Sequence, residues 1–431
     1  FTQHYAGATV CGPSRASLLT GLHTGHSPIR GNPGWTNSGG VVDLKPTDIT
    51  IAKMLKSNGY KTAVIGKWGL SETKESGEKK GDWLPAMPLQ QGFDYFFGLK
   101  GHLAAHYYYW HRLFENNEPF ELKDNDYMNN KGVYIHDLFT NKAVDYVNEQ
   151  SNDEPFFLYL AYTIPHLALT VPEESKAPYL DLGWPQRMMD TQGHYRNDKE
   201  GNTTYAGMVS RMDRDIGKLM AALKAQGLDD NTLVIFTSDN GHEYDEDFFN
   251  SNGPLKGMKR DLYEGGIRVP FIAKWPAKIK PNTSSDHISA FWDMMPTFCD
   301  LSGASNCPTT DGISMSKTFF GQPSQEKHDY LYWEFNESDG PLQALRQGKW
   351  KLVKRFKRKP ELYDLSQDIG EETNLADEQP EVLQSLLVKL ASARTYHPEF
   401  TLKKLVSPWK KIADEEKAKN KAEQKAQQKA G

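Results

Sequence analysis

Twice in this chain a helical pattern of apolar residues stops at a glycine and gives way to a short strand-like run that ends in polar residues. In the first unit Thr47 is the expected N-cap, and Ile51, Met54 and Leu55 mark the apolar face. Gly59 ends the helix, and Lys61 to Ile65 follows as a strand. In the second, Met208, Met212, Ile216, Leu219, Met220 and Leu223 recur at helical spacing and Gly227 closes the helix. Residues 232–237 (TLVIFT) then read as a buried strand, and Phe156 to Ala161 supplies another. Such alternation admits few architectures: it predicts an α/β fold with a large, mixed, mostly parallel sheet sandwiched by helices. Open sheets of this kind bind ligands beyond the carboxyl ends of their strands. Those ends are polar here, at Gly66-Lys67, Pro165-His166 and Asp239-Asn240-Gly241, so the pattern predicts that they converge on one site.

After about residue 310 the character changes to short strand-like runs, Tyr330 to Phe335, Trp350 to Lys354 and Glu361 to Leu365, followed by a helix near Glu381 to Ala393. We therefore expect a catalytic-sized α/β domain over 1–310, a smaller C-terminal α+β domain over 311–400, and a Lys/Ala/Gln-rich tail over 401–431. A length of 431 residues suffices for two cores. The formal net charge of −5 provides no basic field for nucleic acid, so any anion must be met by local charges. No apolar run has the length of a membrane span. Three cysteines, at 11, 299 and 307, lack zinc-site spacing. Cys299 and Cys307 stand either as a bridge, which would suit an oxidising compartment, or as two unpaired thiols.

The most specific local pattern is Cys11-Gly-Pro-Ser-Arg-Ala-Ser-Leu-Leu-Thr-Gly21. Pro13 and Ser14 are good helix openers, which would set Cys11 just ahead of a helix N-terminus, a position that favours anions. Arg15, one turn on, carries planar donors suited to the oxygens of an anion. This pattern resembles the hallmark of the formylglycine-dependent sulfatases, of alkaline phosphatase-like fold. Gly59 to Trp68 resembles the second short motif of that family. The resemblance continues through Tyr162-Thr-Ile-Pro-His166, Thr237-Ser-Asp-Asn-Gly-His242 and Leu255 to Pro270 into the C-terminal domain, to about residue 395.

The resemblance implies that Cys11 is oxidised by a formylglycine-generating enzyme to an aldehyde, whose hydrate is the nucleophile. It further implies sulfate-binding roles for Lys67 and Lys259, a proton donor in His166, and metal ligands in Asp239, Asn240 and residue 11. Carboxylate and amide oxygens suit Ca²⁺, with Mg²⁺ the alternative. Two departures stand out. Gly69 occupies a place where many family members have a proton-transferring His, and among His102, His106 and His111 we take His106 as the substitute. The paired aspartates of the family's first strand would precede Phe1, so the sequence reads as a fragment.

The expected reaction is hydrolysis of a sulfate ester through a covalent sulfoenzyme, on a sulfated carbohydrate or an aryl sulfate, in the periplasm or outside the cell. Phosphonate or phosphate ester hydrolysis is the alternative, as is a non-catalytic sulfated-glycan binder if Cys11 stays a thiol. Tyr107 to Trp110 are candidates for stacking on sugar. Lys351, Lys354, Arg355, Lys357, Arg358 and Lys359 are candidates for meeting a polyanion, or else form a solvated hairpin.

Overall fold

The computed structural model describes residues 1–71, 86–187, 198–244, 246–337, 340–405 and 408. The expected tail over 401–431 lies outside them beyond the few residues to 405 and residue 408. Helix α1 spans Cys11–Thr20 and α2 spans Ile51–Ser57. The cap of α2 is Thr50, not Thr47, because Thr50 stands directly before the first apolar position; its hydroxyl accepts from the Lys53 amide at 3.2 Å. A strand, β2, follows over Lys61–Lys67, after the two-residue β1 at His4–Tyr5.

Strand β2 is the centre of a five-stranded sheet. It pairs in parallel with β3 (Tyr95–Leu99) on one side and β6 (Phe156–Ala161) on the other. The hairpin of β4 (Arg112–Glu115) and β5 (Glu118–Glu121) extends the β3 edge antiparallel, giving the order β5-β4-β3-β2-β6. Because both faces of β2 are covered, residues 62–67 are buried without alternation, as expected of a central parallel strand. Helices α3 (Ile135–Asn148) and α4 (Gly201–Ala225) pack on one another beside this sheet.

Strand β7 (Val234–Thr237) pairs antiparallel with β8 (Phe271–Lys274), and among the described residues no ladder joins β7 to β6. Both border a cavity of about 1360 Å³. The expectation of a buried strand at 232–237 is corrected accordingly: Val234, Ile235, Phe236 and Thr237 are only partly buried, because they line open space. Helix α5 (Met294–Ser302) follows the short β9 (Ser289–Ala290), and Cys299 is disulfide-bonded to Cys307.

The C-terminal strands β10 (Leu331–Phe335), β11 (Leu342–Gln347), β12 (Trp350–Arg355) and β13 (Glu361–Asp364) form an antiparallel meander. Successive side chains point to opposite faces, and here both faces are apolar. Tyr332, Leu345, Leu352 and Leu362 meet helix α6 (Pro380–Ser392) through Leu386 and Leu390. Trp333, Phe335, Ala344 and Val353 instead join Tyr5, Val10, Tyr263 and Trp292 in one core with the N-terminal part. The larger aliphatic and aromatic side chains among them, such as Val353 and Phe335, each contribute about 1.5–3 kcal/mol when fully buried.

This seam also corrects the reading of the basic run. Lys351 is wholly buried, with its ammonium 2.8 Å from Glu264 and 3.5 Å from Glu371, and the Arg355 guanidinium lies 4.8 Å over the Tyr263 ring. Lys351 is therefore closed to a polyanion and Arg355 is engaged within the fold though partly exposed; Lys354, Lys357, Arg358 and Lys359 are exposed. The aromatic run is likewise internal. Tyr108, Tyr109 and Trp110 are buried, and the Tyr108 hydroxyl is directed at the carbonyls of Thr163 and His166, so it braces the Pro-His loop and does not face a sugar.

Candidate active site

Residue 11 opens helix α1 itself, one position earlier than Pro13 and Ser14 suggest, with extended Val10 as N-cap. Pro13 still lies in the first turn, where its missing N–H costs nothing. No side chain of the cap residue satisfies the free amides. Asn32 does this from a neighbouring loop, its Oδ1 accepting from the Gly12 amide at 3.1 Å. The Asn32 amide in turn donates to Glu337, a buried carboxyl pushed up to about 7 chiefly by its burial.

Lys67 is the last residue of β2, and Gly66 before it is fixed by its neighbours. A Cβ there would lie 2.1 Å from the Ala161 carbonyl oxygen of β6, and the residue has φ +109°, so only glycine fits. Burial opposes ionisation of the Cys11 thiol, yet the ammonium groups of Lys67 and Lys259, with hydrogen bonds from His102 and His166, hold it well below its usual range. Burial first, and Arg15 and Lys259 after it, hold Lys67 below its ordinary value against the pull of Cys11 and Asp239.

Arg15 departs from the role expected of it. Its Nε and Nη2 both reach Asp239 Oδ2 at 3.0 Å, while Nη1 donates to the Lys67 carbonyl at 2.7 Å and to Tyr159 at 3.3 Å. The guanidinium thereby ties the ends of β2, β6 and β7 together and positions Asp239. Burial lowers its acidity range and the anionic neighbours more than restore it, so Arg15 stays charged.

Asp239 and Asn240 follow β7. The Asn240 amide nitrogen donates to the Gly241 carbonyl at 2.8 Å, while its Oδ1 is buried without a hydrogen-bond partner among the described residues. A buried, unsatisfied amide oxygen beside a carboxylate is the donor set of a hard cation. Asp239, Asn240 and an oxygen-bearing residue 11 therefore fit one. A second group of ligand-type side chains, His23, His26 and Asp311, does not compete for that role. The Gly25 amide donates to His23 Nδ1, and burial holds His23 down at about 4, so its proton sits on Nε2, facing Asp311. The group is a hydrogen-bonded clamp.

His166, Lys259 and Glu243 form the remaining wall. His166 Nδ1 hydrogen-bonds the Leu167 carbonyl, and Nε2 accepts from the Lys259 ammonium at 2.8 Å. Lys259 also pairs with Glu243 at 2.6 Å, and Arg260 binds the other carboxylate oxygen. Burial raises Glu243, but Lys259, His166 and Arg260 outweigh it and bring the group to about 2. Cys11, Arg15, Lys67, His166, Asp239, Asn240, Glu243 and Lys259 all line the large cavity, so the expected strand ends do converge.

One neighbour was missed in the sequence: Glu243 directly follows Asp239-Asn-Gly-His, and its place in that run was the available signal. His102, considered beside His106 and passed over, is among the groups that hold the Cys11 thiol below its usual range. His106, the expected substitute, instead stacks flat on His166, with ring centroids 4.8 Å apart. His111 belongs to a separate aromatic group, tilted on Trp110 at 4.5 Å.

Comparison with known proteins follows the same lines. The sulfatase family profile matches residues 1–304, and the profile of the N-sulphoglucosamine sulphohydrolase C-terminal region matches residues 258–395. The N-acetylgalactosamine-6-O-sulfatase of Bacteroides thetaiotaomicron is 28% identical over 92% of this chain and 86% of its own length. The uncharacterized sulfatase YdeN of Escherichia coli is 30% identical over 77% of this chain, which spans 57% of that relative. The crystal structure of Ps i-CgsB in complex with k-i-k-neocarrahexaose superposes with a TM-score of 0.72 at 27% identity, covering 91% of this chain and 84% of the other.

Proposed function

The chain belongs to the sulfatase family of sulfuric ester hydrolases, and on that premise we propose that it desulfates a carbohydrate through a formylglycine made from Cys11. The observation that carries this reading is the convergence of Lys67, Lys259 and His166 on residue 11 at one wall of a cavity. Positive charge gathered around a single nucleophilic position suits a tetrahedral dianion or its transition state.

In the proposed reaction one hydroxyl of the hydrated aldehyde at residue 11 attacks sulfur, and the ester oxygen leaves. Two displacements then replace one difficult step. Lys67 and Lys259 hold the sulfate oxygens, and Arg15 acts through Asp239, which it fixes beside residue 11. The proton for the departing alcohol comes from the Lys259 ammonium by way of His166 Nε2, which now accepts from it at 2.8 Å: Lys259 protonates Nε2, and Nε2–H passes that proton to the leaving oxygen. The second hydroxyl of residue 11 then loses its proton, and sulfate is expelled as the aldehyde re-forms. Asp239, Asn240 and residue 11 would hold Ca²⁺, or Mg²⁺ in its place, which supplies positive charge beside the nucleophile.

A carbohydrate is favoured because an N-acetylgalactosamine-6-O-sulfatase and a structure holding neocarrahexaose are among the similar proteins, with named arylsulfatases beside them. Maturation requires a formylglycine-generating partner. The Cys299–Cys307 bridge supports an oxidising location, periplasmic or secreted.

Peptide mass spectrometry at residue 11, with parallel turnover of an aryl sulfate and an aryl phosphonate, tests the reading. We expect an aldehyde in place of the thiol, preference for the sulfate, and a sulfated enzyme that accumulates when Cys11→Ser removes the second hydroxyl. An unmodified thiol in active protein, rapid multiple turnover by Cys11→Ser, or preference for the phosphonate would overturn it.

A further inference from the structure

Helix α1 carries residue 11 but lacks the side-chain cap that would hold its first turn. Val10 offers no side-chain acceptor, Pro13 has no N–H, and the Ser14 amide reaches back to the Val10 carbonyl at 3.3 Å. The Gly12 amide is a donor through which the start of the helix can be fixed from outside. Asn32 Oδ1 takes it at 3.1 Å. A Cβ on Gly12 would stand 2.9 Å from that same oxygen, so a larger residue would crowd the contact.

Asn32 sits in a loop and needs a hold of its own. Its main-chain amide donates to Glu337 Oε1 at 2.8 Å, and its carbonyl accepts from the Trp35 amide at 3.0 Å. Glu337 comes two residues after β10, whose Trp333 and Phe335 lie in the core shared with the N-terminal part. Beside it Asn336 donates from Nδ2 to the Thr401 carbonyl at 2.8 Å, and the Phe400 ring stands 3.3 Å from the Cβ position of Gly31. The loop is thus gripped from the C-terminal domain on two sides. A carboxyl group at this depth is costly unless hydrogen bonds offset the loss of water. Glu337 is buried and makes no salt bridge among the described residues; the donor it meets is the Asn32 amide.

We propose that Glu337 is a positioning residue: through Asn32 it holds the Gly12 amide and so fixes the orientation of residue 11 toward Lys67 and Lys259. The inference rests on the formylglycine reading above and extends it to the C-terminal domain, which supplies the carboxyl. Neither Asn32 nor Glu337 lines the cavity, whereas residue 11 and both lysines do. The relay therefore acts on the attacking group and not on the sulfate. Breaking it leaves the lysines in place but widens the range of directions from which the hydroxyl of residue 11 meets sulfur. Such a change lowers kcat and spares KM.

Steady-state kinetics of the matured full chain with an aryl sulfate, expressed per aldehyde found at residue 11 by peptide mass spectrometry, test the relay. Glu337→Ala and Asn32→Ala should each lower kcat by about 10–10²-fold with KM within about twofold, the scale of a small misplacement of reacting atoms. Glu337→Gln, which keeps an acceptor oxygen, should restore kcat to near the parent value. The double alanine variant should be no slower than Asn32→Ala alone, because both changes break one path. Deuterium uptake of the peptide carrying α1 should rise in both alanine variants and stay at the parent level in Glu337→Gln. Asn32→Ala leaves the buried carboxyl in place and carries the same test if Glu337→Ala does not fold. Parent-like kcat in the alanine variants, a glutamine variant as slow as the alanine one, or losses that multiply in the double variant would overturn the positioning role while leaving the sulfatase reading intact. So would a lower unfolding midpoint with kcat per folded molecule unchanged. A parent with an aldehyde at residue 11 that turns over no aryl or carbohydrate sulfate would overturn both.

Discussion

Lys67 and Lys351 are both buried at the ends or middle of strands, and they differ in what surrounds them. Lys351 lies in the seam between the C-terminal meander and the N-terminal core, against Glu264 and Glu371, with Arg346 and Tyr5 completing the cluster. Lys67 has no carboxylate ion pair of its own among the described residues; its charged neighbours are Cys11, Arg15, Asp239, which Arg15 already holds, and Lys259. Burying a charge is costly in either place. In the seam fixed carboxylates offset the cost within the folded chain, whereas in the pocket the compensation is left to an incoming anion. Depth alone therefore says nothing about role; the sign of the neighbouring charges does.

The largest effect should come from breaking the seam. Replacing Lys351 by Met leaves Glu264 buried without its main partner and should destabilise the fold by about 3–5 kcal/mol, read from urea unfolding. Activity per folded molecule should hold. If the stability loss is instead negligible, the contrast with Lys67 fails.

Next comes Lys67→Ala, which should lower kcat/KM by about 10²–10³-fold, the usual result of removing one group that holds developing negative charge. Its unfolding midpoint should stay level or rise, because a poorly compensated charge leaves the interior. A matched loss of stability would make Lys67 a structural lysine like Lys351.

A smaller effect concerns pH. Burial raises Glu264, but Lys351 and Arg346 outweigh it and bring it to about 2, below the ordinary 4.5. Its contribution is present above about 4.5 and lost as pH falls toward 2. Glu371 moves the other way, up to about 7, through burial first and then Glu264, against the pull of Lys351. Its contribution is present below 4.5 and lost as pH rises through 7. Together they place the greatest stability from this cluster near pH 4.5, with a decline on either side. Glu371→Gln should abolish the decline between 4.5 and 7, and unfolding curves across that window measure it.

The smallest expected effect belongs to the exposed remainder of the basic run. Replacing Lys354, Lys357, Arg358 and Lys359 singly with Ala should change stability by no more than about 0.5 kcal/mol each. A larger change would mean that these charges, like Lys351, have partners within the fold.

The strand ends show how far sequence reasoning reaches. Gly66-Lys67 and Asp239-Asn240 lie where an apolar run stops and a turn begins, and the structure brings both to the cavity because strands of a layered sheet deliver their carboxyl ends to one edge. Thr50 displaced Thr47 as the cap by the same local logic, applied one position too loosely. The failures are of another kind. Lys351 and Lys354 stand three residues apart in one basic run, yet one is wholly buried and the other exposed. The alternation of β12 points them to opposite faces, and only the packing of the meander reveals which face is covered. His102 and His106 share one stretch in the same way, and the fold of the loop after β3 decides which ring acts on the Cys11 thiol and which rests on His166.

The sequence by itself determined the α/β layering, the place of Cys11 at the start of a helix, and the lysines, histidine and Asp-Asn pair gathered around it. Periodicity, glycine stops and local motifs are properties of neighbouring residues, which a sequence displays directly. Only the tertiary structure decided that Arg15 grips Asp239 and that Glu243 holds Lys259. Those outcomes depend on contacts between residues far apart in the chain, whose distances and charges are set when separate elements pack.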